Sequence, residues 1–173
     1  MEIDMIKVET YIKKEKIITS LKDANENYDE YFVKCKDVNC LQYIEDFDYI
    51  EGAIIINNDE EVLLNFKYWD IVDQLWSYIL EAFSNIANGS INEKILFPDQ
   101  PVEVYFKIIS DDILMMNIKK NKYLVSKKEF FDAMLENAKL FFGILNQCDN
   151  EQIILESKKN LKKIDQIKIA INS

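Results

Sequence analysis

The chain has 173 residues, 49% apolar and 30% charged, which is enough to fold one domain without disulfides or a metal and is not the composition of a disordered chain. Its net charge is −10, a balance that repels nucleic acid and anionic membranes and steers towards basic partners. All 21 basic residues are lysine and there is no histidine. The usual general base, the commonest metal ligand and the bidentate arginine fork are therefore missing.

Taken in chain order, "IDMIKVETYI" alternates, with Ile6, Val8, Thr10 and Ile12 on one face, and predicts a strand. "KDANENYDEY" is polar and reads as a connection, while "YFVKCKD" and "CLQYIEDF" fit no single element. Residues 1–50 are the part least assigned. "IEGAIIINNDEEVLLNF" is two β-branched runs joined by Asn57-Asn58-Asp59-Glu60, a hairpin pattern.

"YWDIVDQLWSYILEAF" carries both tryptophans, and its apolar residues Val72, Leu75, Trp76, Ile79, Phe83 and Ile86 keep the helical period. Trp76 belongs to the core face, Trp69 packs at the helix start, and Asp70 and Asp73 sit in the first turns, where the macrodipole favours acids. Asn88-Gly89 supplies the stop. The prolines of "FPDQP" fix a turn, and "VEVYFKII", "ILMMNI" and "KYLVS" follow as a three-strand meander turning at Asp111-Asp112 and Asn121.

Ser126 and Glu129 form a capping box for "SKKEFFDAMLENAKLFFGILNQ", whose apolar face includes Phe130, Met134, Ala138, Phe141 and Leu145. A final helix is expected around 150–163, with Ile154 and Leu161 on one side. "QIKIAIN" alternates at Ile167, Ile169 and Ile171 and fits an edge strand equally well. The expected fold is one α+β domain over 1–173: an antiparallel, meander-rich sheet packed against two long amphipathic helices plus a C-terminal helix.

Charge divides unevenly, with 16 lysines against 28 acids in residues 1–150 and five against three in the lysine-bearing tail. Cys35, Cys40 and Cys148 form no C-x-x-C, so reduced thiols are expected and zinc is not. "MEIDMIKVETYIKK" lacks the basic-then-apolar order of a signal peptide, and no apolar run reaches the ~18 residues of a membrane span; the expected location is the cytoplasm. Three glycines make no phosphate cradle, and no nucleophile has a histidine to activate it. The Asp46/Asp48 pair of "EDFD" has no calcium-loop pattern around it. No catalytic residue, cofactor or metal ligand is assigned.

Two function classes remain, with a carboxylate-dependent enzyme behind them. One is a non-catalytic acidic binding protein with a basic protein partner; the other is a structural subunit that assembles as a homo-oligomer. For the first, Asp59, Glu60, Glu61, Asp111 and Asp112 on loops are the candidate contacts, with Tyr28, Tyr31 and Tyr49 as aromatic anchors. Across residues 50–145, the "YWDIVDQLWSYI" helix, "FPDQP" and the strand followed by "KEFFDAMLENAKLFF" resemble small acidic bacterial α+β domains of the immunity-protein type. That resemblance implies inhibition of a cognate toxin and assigns no residue a role.

Overall fold

The computed structural model describes residues 5–172. The chain runs β1 (Ile6–Lys13), two short helices α1 (Leu21–Glu26) and α2 (Tyr28–Tyr31), and β2 (Phe32–Lys34). A 3₁₀ turn (Val38–Tyr43) leads to β3 (Glu51–Asn58), β4 (Glu61–Leu64), β5 (Asp70–Ile71) and the helix α3 (Val72–Ala87). Four strands follow, β6 (Asn92–Leu96), β7 (Glu103–Ile108), β8 (Ile113–Ile118) and β9 (Asn121–Ser126), and then the helices α4 (Lys127–Leu145) and α5 (Glu151–Ile171). This is an α+β architecture with antiparallel pairing throughout the ladders described.

The strands form two sheets where the sequence predicts one. The first has the order β2-β1-β3-β4, with β5 also pairing β3; the second is the meander β6-β7-β8-β9. The missed member of the meander, "NEKIL", is short and buries only Ile95, so it shows no alternation to read. The polar stretch taken for a connection forms α1 and α2, because the Ser20 hydroxyl accepts the Asp23 N–H and caps the turn.

α3 and α4 join the sheets. Trp76 of α3 donates its indole N–H to the Thr10 hydroxyl of β1 at 3.0 Å, and Thr10 donates to Asn137 Oδ1 of α4 at 2.6 Å. Further along α3, Phe83 meets Phe106 of β7 and Phe131 of α4 edge-on. Trp76 and Phe83 are both fully buried, so the tryptophan stripe is core, as its spacing predicts. The Ser126 hydroxyl accepts the Glu129 N–H as the capping box requires, and Gly89 at φ 112° ends α3.

Two assignments are corrected. Asp70 lies outside the helix: it is buried in β5, and its carboxylate accepts the N–H groups of Ile71, Asp99 and Gln100 at 2.7–2.9 Å. It therefore clasps the "FPDQP" turn of the second sheet to the first. The "QIKIAIN" tail is helical, not an edge strand, since α5 continues to Ile171 and buries Ile164 and Ile167. Lys163 of α5 also pairs with Glu81 of α3.

Candidate functional site

The chain leaves β1 at Lys13 and continues outward through Ile17, and it returns beside that stretch along residues 43–51 to enter β3. Between them lies a cleft of about 350 Å³. Ile12 and Ile50, both buried, form its floor. Tyr43 and Tyr49 stand on its walls, 37% and 46% exposed.

Local turn chemistry sets both tyrosines. Asp37 caps the 3₁₀ turn by accepting the Asn39 N–H at 2.9 Å, and the buried Cys40 anchors that turn, at whose end Tyr43 sits. Asp46 Oδ1 accepts the Asp48 N–H at 2.9 Å and its carbonyl accepts the Tyr49 N–H at 3.0 Å, an Asx turn that leaves Tyr49 at the surface. The Asp46/Asp48 pair is thus a turn element. The Asp70 clasp brings Asp99 to the same rim, where its carboxylate raises the Tyr49 phenol pKa above its ordinary value.

Seven charged side chains line the cleft, and each of the three lysines among them has partners of its own. Lys13 donates to the Lys14 carbonyl, pairs with Glu51 at 3.7 Å and lies over the Trp69 ring. Lys14 donates to the Asp29 carbonyl, and Lys16 pairs with Glu30 at 2.8 Å. Among the described residues Glu15, Glu45 and Asp46 take part in no salt bridge. The Glu15 carboxyl lies beside Glu45, and this like-charged neighbour holds the Glu45 pKa above the usual carboxylate value against the opposing charge of Lys13. Such a pair is relieved by an incoming cation.

Of the side chains read from the sequence as contacts, Tyr49 alone lines this cleft. Tyr31 is corrected: it is 4% exposed, its ring packs in a small core with Phe32 and Phe66, and its hydroxyl is taken by Asp23, so it is not a surface anchor. Tyr28 stacks flat on Phe66 at 4.6 Å with one side in solvent. Asp59, Glu60 and Glu61 cap the β3–β4 hairpin, at the other end of β3 from Tyr49 and roughly 25 Å away by strand rise. Asp111 and Asp112 turn β7 into β8 on the second sheet.

Tyr43, Glu15, Glu51 and Asp99 were missed. They come from three separate segments, and only the neighbouring "EDFD" cluster hinted at the place. Among the described residues no group of three or more Cys, Asp or Glu is placed to hold a metal ion, and no helix is long and apolar enough to cross a membrane. No family model, curated protein or solved structure matches this chain.

Proposed function

We propose that the chain is a non-catalytic, immunity-type binding protein that holds a basic protein partner in this cleft. The observation that carries the reading is the trio Glu15, Glu45 and Asp46, none of which takes part in a salt bridge among the described residues, beside the exposed rings of Tyr43 and Tyr49. A lysine or arginine entering the cleft separates the Glu15–Glu45 pair electrostatically, while the tyrosines supply rigid aromatic area around it. The overall charge of −10 speeds the encounter.

The test is capture from the native host's lysate by immobilised wild-type chain and by Glu45→Lys and Tyr49→Ala variants. The expected result is a basic protein held at low salt, released at high salt, lost with Glu45→Lys and weakened at least about tenfold with Tyr49→Ala. That protein's own activity is then blocked by adding the wild-type chain. Lowering the pH weakens the capture, because Glu45, with its raised pKa, is protonated at a higher pH than an ordinary glutamate. Return of the chain alone, insensitive to salt and to both substitutions, overturns this reading in favour of self-assembly.

A further inference from the structure

The inward stripe of α5 is Ile153, Ser157, Asn160, Ile164 and Ile167, all buried and spaced four, three, four and three apart. That is the seam of a heptad, in which each position meets the neighbouring helices. Three positions are isoleucine, as packing asks. The second and third are polar. Ser157 is 1% exposed, and its hydroxyl has no hydrogen-bond partner. An apolar residue there satisfies packing without that penalty, so the hydroxyl calls for an explanation beyond the fold.

Ser157 lines a second cavity, of about 280 Å³, between the start of α3, the end of α4 and the first half of α5. Asp73 of α3 lines it too. Its Oδ1 is buried without a hydrogen-bond partner, and the nearby backbone N–H groups of Gln74 and Asp73 only partly offset the effect of burial on its charge. The dipole of α3 explains an acid at this position, but not the buried orphan oxygen. Phe142 and Leu145 of α4 and Ile153 of α5 supply an apolar wall.

The charged groups facing Asp73 share its sign: Asp48 from the segment before β3, and Glu156 from α5, which adds to the burial that raises the Asp73 pKa. α4 contributes only apolar side chains to the lining. Lys159, Lys162 and Lys163 line an adjoining depression and not this cavity. An anion is thereby disfavoured, and no trio of metal ligands is assembled among the described residues. A carboxylate oxygen, a hydroxyl and an apolar wall together match a positively charged nitrogen carrying a short hydrocarbon body.

We propose that this cavity is a binding site for a small primary ammonium compound, its nitrogen donating to Asp73 Oδ1 and Ser157 Oγ and its carbon chain lying on Phe142 and Leu145. The site is separate from the tyrosine cleft and stands independently of the function proposed for it. It also accounts for two buried polar groups that the core does not need.

The experiment is a side-chain NMR titration of the full chain with n-butylammonium chloride, with n-butanol, sodium chloride and calcium chloride as controls. Near neutral pH the ammonium produces saturable shifts at Ile153, Leu145 and Phe142 and none at Ile12 or Ile17, with millimolar affinity on the order expected for five heavy atoms. Asp73→Asn weakens binding at least about tenfold while raising the melting temperature of the free protein, a combination that misfolding does not produce. Ser157→Ala weakens it severalfold. Binding also falls as the pH is lowered to about 5, because the proton competes for Asp73. Equal shifts from n-butanol or calcium, equal affinity in Asp73→Asn, or no saturation by about 50 mM overturns the proposal.

Discussion

β3 lies in a sheet covered on both faces, and β7 in a sheet with one face in water. Along β3, Ile54 and Ile56 turn to the main core under α3 and α4, while Ala53 and Ile55 turn to a smaller cluster of Ala24, Tyr31, Phe32 and Phe66. Along β7 only Val104 and Phe106 are buried, and Glu103 and Lys107 alternate with them in solvent. The sequences carry this difference: "AIII" is a continuous apolar run and "EVYFKI" an alternating one. The extra cover over the first sheet comes from residues 18–32 and Phe66, and the first of these continue the chain directly from the Lys13–Ile17 wall of the tyrosine cleft. A covered sheet here supports a site at its end; the open sheet leaves its outer face to solvent.

The comparison breaks most completely at Gly52, where β3 passes closest to its neighbours. A Cβ there stands 2.0 Å from the Tyr11 carbonyl oxygen and 3.0 Å from Val72 Cγ1. Gly52→Ala is expected to cost more than about 4 kcal/mol, because backbone and not a flexible side chain blocks it; chemical denaturation measures the loss. Next comes a matched pair. Ile55→Ala, inside the two-faced sheet, costs about 3 kcal/mol. Leu124→Ala, 63% exposed on β9, stays within about 0.5 kcal/mol. Equal costs in the two variants would erase the distinction between the sheets.

Asp70→Ala tests the joint between them. It strips the carboxylate from three N–H groups and is expected to cost about 2–3 kcal/mol, with amide exchange accelerated at Asp99 and Gln100 before it rises elsewhere. Asp73→Asn works in the opposite direction. Burial first, and the charge of Glu156 after it, raise the Asp73 pKa from 3.8 to about 6. The folded state therefore holds a proton that the unfolded chain releases, so this group's contribution grows as the pH falls from above 6 to below 3.8. At neutral pH the ionised carboxylate costs at most about 3 kcal/mol, reduced by its partial exposure to about 2, and asparagine removes that cost. Stability against pH, compared between wild type and variant, reads it directly.

The meander, both long helices and the "NNDE" hairpin were legible because their periods are clean. The division into two sheets was not, since β6 is five residues long with a single buried side chain. At the C-terminus two periods competed. Ile167, Ile169 and Ile171 satisfy a strand, whereas the helix seam that decides the matter passes through Ser157 and Asn160, which a search for apolar residues passes over. Polar residues concealed both the helix and the cavity. The tyrosine cleft was hidden for a different reason: Glu15 meets Glu45, and Asp99 meets Tyr49, only through tertiary structure, whereas Tyr49 was visible as one aromatic residue in an acidic neighbourhood.

The hydrogen bond from Thr10 to Asn137 joins residues 127 apart in the chain. During synthesis β1 emerges first and can pair with β3 once residue 58 has followed; α3 then covers part of the helix-facing side, and the rest waits for α4. From residue 58 to Asn137, at roughly 5–20 residues per second, that wait lasts about 4–16 s on the ribosome. Until α4 follows, Val8, Ile12, Ile54 and Ile56 lack part of their cover, and a block in translation between β3 and α3, which leaves that face bare, releases an aggregation-prone fragment.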